Sequence, residues 1–183
     1  MIAGRRRMFE FFTKLKSDRG GFTLIELLVV ISIIGVLSGM VLVAMTDMRA
    51  KARDARRNTD LIQIRKALEM YYAANEIYPN LTSWRSSNND AAWNPLTVAL
   101  APYISLPKDS INTPPSGTLL HAYSSGVYTY SYYTGTTQGC ISRHWYMLLA
   151  RLEKTGSIVS PGVKCPTYTY NYSGTITLGM VQK

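Results

Sequence analysis

Histidine and cysteine are scarce in this chain of 183 residues, which has two of each. The histidines are His121 and His144, and neither they nor the cysteines have the spacing of a zinc site. A serine needs an adjacent base to become a nucleophile, and only these two histidines are available for that role. The composition therefore favours a protein that is not an enzyme.

Charge is absent from a run of 19 residues, Leu27 to Met45. As a helix this run spans about 28 Å, which matches a bilayer hydrocarbon core of roughly 30 Å. It is apolar around its whole circumference, whereas a soluble amphipathic helix keeps a polar face. We predict a single membrane-spanning helix, with a buried core helix as the alternative.

Glycine and proline are absent from Asp47 to Ala74, where good helix formers dominate. The membrane helix is therefore predicted to continue without a break and to stop near Asn75, because Tyr78-Pro79 disfavours a helix. Its second half carries an apolar stripe at helical spacing, suited to packing against a small domain. The stripe consists of Leu61, Ile64, Leu68 and Tyr71, with Ala67 and Tyr72 beside them.

One carboxylate stands at the start of the apolar run, in Gly21-Phe22-Thr23-Leu24-Ile25-Glu26. A charge at mid-bilayer costs roughly 2.5–3.5 kcal/mol, so Glu26 needs an explanation. Six basic residues before Gly21 favour a cytoplasmic N-terminus. The glycine precedes the apolar run, whereas an ordinary secretory signal has its small-residue cleavage site after it.

This stretch resembles the class III signal of bacterial type IV pilins and type II secretion major pseudopilins. In that family a membrane peptidase cleaves after the glycine, here Gly21, and methylates the new N-terminal phenylalanine, here Phe22. The resemblance of motif covers roughly residues 19–79, and Leu61–Pro79 is similar to the end of the long helix in secretion pseudopilins and short pilins.

The resemblance implies an α+β, pilin-like fold. One long N-terminal helix over about 22–74, its first half transmembrane, would pack on a small C-terminal antiparallel sheet. The implied segments are a cleaved leader (1–21), a membrane and filament-core half-helix (22–46) and a headgroup domain (47–183). The headgroup domain would comprise the second half of the helix (47–75), a connecting loop (76–126) and the sheet (127–183).

Within the headgroup domain the sequence predicts several shorter elements. Asn94-Pro95 is expected to open a short helix over Leu96–Leu100. Alternation and turn residues predict strands that bury one face on the helix stripe and leave tyrosines and threonines outward. These strands are Val127–Tyr133, Trp145–Leu152, Tyr168–Tyr172 and Thr175–Val181.

The resemblance also gives Glu26 a role in assembly. Cleavage before Phe22 would create an α-amine that is largely protonated at neutral pH. A buried carboxylate is tolerable when a cation meets it, so Glu26 is expected to pair with the Phe22 amine of a neighbouring subunit. The alternative is that Glu26 only reaches the lipid headgroups.

The implied partners follow from the same assembly scheme. They are further copies of this chain in a homopolymeric filament, the prepilin peptidase and methyltransferase, an inner-membrane assembly platform with minor pilins, and membrane lipid. The chain would cross the cytoplasmic (inner) membrane once, with its N-terminus in the cytoplasm, and then enter a periplasmic or extracellular filament.

Basic residues cluster from Arg49 to Arg57 and raise the question of an anionic partner. Lipid headgroups and nucleic acid are two possibilities, and we favour a third, a solvated face that meets acidic groups of neighbouring subunits. Nucleic acid is disfavoured because the net charge falls from +9 to +5 without the leader and because residues 110–142, rich in tyrosine, contain no Lys or Arg. Supporting i,i+4 pairs are expected; they are Arg56–Asp60, Arg65–Glu69 and Asp47–Lys51.

Two further sites are considered in the C-terminal part. An even cysteine count in an exported domain favours a Cys140–Cys165 disulfide over two free thiols. No cofactor is expected. Secretion pseudopilins often bind Ca²⁺ through oxygen ligands, and the residues available for it here, Asp109 and Asn112 with Ser110, make a weak site because they hold a single carboxylate.

The function predicted from these features is that of a structural subunit in a type IV pilus-like filament. It would be the major pseudopilin of a type II secretion system or a short major pilin. A minor pilin for DNA uptake or adhesion, and a membrane-anchored periplasmic binding domain, are the alternatives.

Overall fold

The computed structural model describes residues 21–81, 83–114, 121–137, 139–156, 158 and 160–181. The predicted leader, apart from Gly21, lies outside these residues. The elements in chain order are α1 (Leu24–Asn75), β1 (Arg85–Ser86), α2 (Asp90–Leu100), β2 (Tyr130–Tyr133), β3 (Trp145–Arg151), β4 (Val163–Cys165), β5 (Tyr168–Tyr170) and β6 (Thr175–Val181). The chain divides into two compact units, with the boundary between Ala44 and Met45.

The first unit contains the N-terminal part of α1. Its large apolar side chains are exposed, from Phe22 at 87% to Leu42 at 68% of their full accessible surface. By length and composition, α1 is able to cross a membrane. The prediction of a helix with the length and composition to cross a membrane is therefore confirmed.

The second unit begins with the remainder of α1, which ends at Asn75 as predicted. Just beyond the helix, Glu76 adopts a left-handed backbone conformation with φ of 60°, and its N–H donates to the Tyr72 carbonyl at 2.7 Å. Such a left-handed residue after the last turn is a common helix terminator. It allows the chain to turn back towards Tyr78, which is fully buried.

The predicted α+β architecture is confirmed in the second unit. An antiparallel sheet of order β1-β2-β3-β6 lies beside α1, and its register places Leu148 opposite both Tyr132 and Leu178. The core between sheet and helix contains most of the predicted stripe of α1. Its buried members include Leu61, Ile64, Ala67 and Leu68 from the helix and Tyr130, Tyr132, Tyr146, Leu148, Ala150, Ile176 and Leu178 from the strands, with Tyr71 and Tyr72 partly buried against them.

The opposite face of the sheet is also covered, and the prediction that the strands leave tyrosines and threonines outward is wrong for this sheet. Tyr130 and Tyr132 are buried in the core against α1. Thr129, Ser131 and Thr177 are fully buried. The strands β4 and β5 pair with each other in a separate two-stranded sheet, and a second apolar cluster forms around them. It comprises Ala122, Cys140, Trp145, Met147, Leu149, Val163 and Cys165.

Close packing of this second layer accounts for Gly179 in the middle of β6. A Cβ at this position would collide with the Tyr146 carbonyl and with a methyl group of Val163. Only glycine lets β6 pair with β3 and pass beneath β4 at the same point.

The region between helix and sheet is more structured than predicted. The strand β1 lies inside the predicted connecting loop and pairs with β2. The prediction that Asn94 opens the short helix is wrong, because α2 begins four residues earlier and Asn89 caps it, accepting from the Ala92 N–H at 3.0 Å. Pro95 lies inside this helix, where packing of Trp93 and Leu96 into the core outweighs the lost backbone hydrogen bond.

Candidate processing and assembly site

Gly21, Phe22 and Glu26 lie together at the beginning of α1. The helix starts at Leu24, so Thr23 occupies the capping position and Glu26 lies three residues further on. The Thr23 N–H and hydroxyl each donate to Glu26 Oε2 at 2.8 Å, and the Glu26 N–H donates back to the Thr23 hydroxyl oxygen at 3.3 Å. This reciprocal arrangement is a capping box, in which side chains satisfy the first backbone donors of a helix.

The capping box includes Thr23, which was not among the site residues predicted from the sequence. Its signal, a threonine followed three residues later by glutamate before an apolar run, is present in the sequence. Both intrahelical bonds to the Glu26 carboxylate end on Oε2. The second oxygen, Oε1, can therefore accept a donor from another molecule without disturbing the cap.

The helix surface after Glu26 is apolar in the described part of the first unit, apart from Ser32 and Ser38. Ser32 turns its hydroxyl inward and donates to the Val29 carbonyl at 2.7 Å. Gly35 and Gly39 have open space around their Cα atoms, since a Cβ at either would meet nothing within 4 Å. An apolar surface of this kind is suited to lipid or to apolar faces of other helices.

In the second unit, Arg57 is at the centre of a buried charge network. Its side chain is 1% exposed, and it donates to Asp109 through Nε at 2.5 Å and Nη2 at 3.1 Å. Its Nη1 donates to Asp54 at 2.7 Å and Glu153 at 2.8 Å, and the Tyr128 ring lies 4.9 Å from its Cζ atom. The expectation that the Arg49–Arg57 cluster is a solvated face is wrong for this residue.

The network joins α1 to the turn after β3. Asp54 accepts the backbone N–H groups of Glu153 and Lys154, both at 3.0 Å. Arg53 binds Glu153 with two hydrogen bonds of 2.8 and 2.6 Å. Lys154 in turn pairs with Asp47 at 2.7 Å.

The charges in this network shift the pKa values of its members. Burial alone would lower the pKa of Arg57, but its hydrogen bonds to Asp109 and Glu153 raise it overall. The hydrogen bond from Arg53 lowers the pKa of Glu153, with a further contribution from Arg57. Arg57 and Glu153 therefore both remain charged at neutral pH.

The expected i,i+4 pairs are only partly present. Arg56 and Asp60 approach to 3.8 Å, but Asp60 also accepts a closer hydrogen bond of 2.6 Å from the Tyr130 hydroxyl. Glu69 accepts from the Tyr146 and Tyr78 hydroxyls at 3.0 and 3.2 Å, which attaches α1 to the sheet.

The residues considered for Ca²⁺ do not suit that ion in this arrangement. Both Asp109 carboxylate oxygens accept hydrogen bonds from the Arg57 guanidinium, and Asn112 Oδ1 accepts from Ser87 at 3.1 Å. Within the described ranges, no group of three or more His, Cys, Asp or Glu side chains could hold a metal. An arginine already supplies the positive charge at this point.

Cys140 and Cys165 are joined by a disulfide, with Cα atoms 5.4 Å apart. Both are buried in the apolar cluster on the outer face of the sheet. The bond attaches the segment before β3 to the end of β4.

The class of protein that these features define is pilin-like. A long helix starts with a capped Phe-Thr-Leu-Ile-Glu motif and a membrane-length apolar run, and its second half packs on a small antiparallel sheet.

Comparison with known proteins agrees with this class. The family model for the prokaryotic N-terminal methylation motif matches residues 16–45. The chain is similar to type II secretion system core protein G from Vibrio cholerae, with 37% identity over 59 residues, and from Escherichia coli K12, with 41% identity over 59 residues. Its counterpart from Aeromonas hydrophila is 36% identical over 64 residues.

These matches cover 32–35% of this chain and 40–45% of the relatives, so the chain spans less than half the length of the curated relatives that it matches. No solved structure matches the chain. The N-terminal resemblance to type IV pilins and type II secretion pseudopilins is thereby confirmed.

Proposed function

We propose that this chain is a structural subunit of a type IV pilus-like filament, and in particular the major pseudopilin of a type II secretion system. The observation that carries the proposal is the capped Gly21–Glu26 motif directly before a membrane-length apolar helix. The similarity of this region to several core protein G sequences favours secretion. A short major pilin is the second candidate, because the same motif serves both kinds of filament.

In the proposed pathway the chain is first held in the cytoplasmic membrane with its N-terminus in the cytoplasm. A prepilin peptidase cleaves after Gly21, and Phe22 becomes the methylated N-terminus. The apolar helices then pack together, with an inner-membrane assembly platform and minor pilins as further partners. The role is structural rather than enzymatic.

Glu26 links cleavage to assembly in this proposal. Cleavage creates an ammonium group at Phe22, and Glu26 Oε1 of a neighbouring subunit is available to accept from it. A charge-assisted hydrogen bond is about twice as strong as a neutral one. Before cleavage that donor does not exist, so uncleaved subunits lack the pairing.

Three variants separate the charge of Glu26 from its capping role. Glu26→Gln retains a capping box, since glutamine serves at this position, but removes the charge. We expect it to be inserted and cleaved normally, with filament yield reduced at least tenfold. Thr23→Ala weakens the cap by about 1 kcal/mol and keeps the charge, so it should assemble better than Glu26→Gln. Glu76→Gln, at an exposed carboxylate of the second unit, is the matched control.

The measurements are the mass of the membrane-extracted protein, which reports cleavage and methylation, and the amount of sheared filament. A mature N-terminus other than Phe22 would overturn the proposed processing. Normal filament yield from Glu26→Gln would overturn the assembly contact alone. Deletion of the gene, scored for secreted protein, surface filaments and DNA uptake together, distinguishes a secretion pseudopilin from a pilin.

A further inference from the structure

The carboxylates of this chain are almost all engaged internally. Nine of the eleven acidic side chains follow Gly21. Within the described residues every one of these nine except Glu76 accepts a hydrogen bond or an ion pair from the same chain. Glu76 is thus the one acidic side chain without such a contact among the described residues, while Asp47 and Asp90 each pair with a lysine but stay 62% and 81% exposed.

Several cations near the start of the second unit are not engaged in this way. Arg49 and Lys51 are exposed and form no salt bridge within 4 Å among the described residues. The Arg56 side chain is 69% exposed, and the one ion pair that it forms within the described part of the chain, to Asp60, is 3.8 Å long. We call Arg49, Lys51 and Arg56 the proximal cations.

In the described part of the second unit, a neighbouring subunit offers the proximal cations three exposed carboxylates, Asp47, Glu76 and Asp90. Two of these already pair with a lysine of their own chain. We therefore consider an anion of a different kind.

The position of the proximal cations along α1 indicates which anion. They follow Met45, the last residue of the apolar run, by four to eleven residues, which is about 6–16 Å along a helix. The headgroup layer on each side of a bilayer is about 5–8 Å thick, and charges act over a further ~8 Å at physiological salt. Arg65 and Lys66, also exposed, lie about 30 Å from Met45 and are beyond this distance.

The distribution around the helix points the same way. Arg49 and Arg56 are seven residues apart and share a flank of α1, whereas Lys51 is rotated from Arg49 by about 200°. A membrane surface surrounds a helix that crosses it and can contact both flanks at once. A nucleic-acid duplex would approach one flank.

We propose that the proximal cations bind the phosphate groups of anionic phospholipids while the chain is held in the membrane. The proposal rests on the membrane insertion that forms part of the proposed function. Each Lys or Arg near an anionic membrane surface strengthens binding to that surface by roughly fivefold. Three of them, partly screened by salt, should favour an anionic over a zwitterionic lipid by at least tenfold.

The test uses the full chain, purified in a nonionic detergent and given equal amounts of phosphatidylglycerol and phosphatidylcholine. Native mass spectrometry measures the ratio of the two lipids retained. The wild type should retain phosphatidylglycerol at least tenfold better. The triple variant Arg49→Gln, Lys51→Gln, Arg56→Gln should approach equal retention, whereas the control Arg65→Gln, Lys66→Gln should keep most of the preference.

Three outcomes would overturn the proposal. In the first, the wild type retains the two lipids equally. In the second, the triple variant keeps the wild-type preference for phosphatidylglycerol. In the third, the control Arg65→Gln, Lys66→Gln loses as much of this preference as the triple variant does. A short DNA duplex that displaces the phosphatidylglycerol, and whose binding falls more steeply than that of lipid in the triple variant, would assign these cations to nucleic acid instead.

The same variants separate this proposal from the proposed function. Membrane fractionation, cleavage after Gly21 and filament yield are scored in parallel. If the chain is inserted, cleaved and polymerised but shows no preference for phosphatidylglycerol, only the lipid site fails. If the chain is not found in the membrane, the proposed function itself fails.

Discussion

Arg57 is a fully buried cation that contacts three carboxylates, and its removal would leave those carboxylates without their main counter-charge. Breaking a buried ion pair from one side typically costs 3–5 kcal/mol, because an uncompensated charge remains in the interior. We therefore expect Arg57→Met to lower the free energy of unfolding by about 3–5 kcal/mol.

Arg56 provides the matched control for this prediction, since it directly precedes Arg57 and its side chain is mostly exposed. Arg56→Gln should cost less than about 1 kcal/mol, as is usual for surface pairs. Denaturant unfolding of the full chain in detergent, followed by the fluorescence of the buried Trp93 and Trp145, measures both. A cost below 1 kcal/mol for Arg57→Met would mean that the network contributes little to stability.

His121 should make stability depend on pH. It is 8% exposed, its Nδ1 lies 2.7 Å from the Ser86 hydroxyl, and the Trp84 and Tyr123 rings are 5.6 and 5.4 Å away. Burial lowers its pKa in the folded state, whereas in the unfolded chain it protonates near pH 6.5. The unfolded state then binds more protons, so stability falls as the pH drops below about 6.5.

The histidine prediction has a built-in control. The melting temperature of the wild type should fall between pH 7.5 and 5.5, and His121→Gln should flatten this dependence. His144→Gln, at an exposed position, should leave it unchanged. Glu153, whose pKa is lowered by Arg53, adds a separate loss of stability only at more acidic pH, below the usual carboxyl value of about 4.3.

Among the elements, α1 was the most predictable from sequence. Its end at Asn75 and its buried stripe follow from local signals, namely the Tyr78-Pro79 pair and apolar residues three and four apart. The capping box at Thr23 and Glu26 was missed, although its signal is present in the sequence. The true start of α2 was not recognised, because Asn94-Pro95 looked like a better opening than the Asn89 that caps the helix.

The second layer of the sheet and the charge network could not be predicted in the same way. The buried Ser131 hydroxyl pairs with the Ser86 hydroxyl and the Ala122 N–H, 45 and 9 residues away in sequence. The Arg57 side chain donates hydrogen bonds to Asp109 and Glu153, which are 52 and 96 residues away in sequence. Periodicity and composition describe neighbours along the chain, so contacts of this range leave no local pattern.

The β4–β5 layer should depend on the Cys140–Cys165 bond. In the chain-entropy model, closing a loop of about 26 residues contributes roughly 3.5 kcal/mol. Cys140→Ser combined with Cys165→Ser should lower stability by up to that amount and expose the cluster around Trp145. The mass of the wild type after alkylation, with and without reductant, shows whether the bond is formed. Alkylation of both thiols without reductant would contradict it.

At the scale of the whole molecule, charge sets the conditions for assembly. The chain from Phe22 onward carries fourteen basic and nine acidic side chains, a net charge of +5. Among the described residues, exposed cations outnumber exposed carboxylates, so identical subunits would repel one another through their exposed surfaces. In the proposed filament, attraction between subunits is then expected from the apolar helices and the proposed Glu26 contact, which would be shielded from water and little affected by salt.

This balance predicts that salt stabilises the proposed filament. Between 0.01 and 0.15 M ionic strength the Debye length falls from about 30 to about 8 Å, which screens repulsion between exposed cations. Purified filaments, measured by sedimentation, should therefore persist better at the higher salt. The variant Arg65→Gln, Lys66→Gln, which reduces the net charge from +5 to +3, should need less salt for the same yield. Filaments that dissolve as salt rises would instead indicate that exposed ion pairs between subunits outweigh this repulsion.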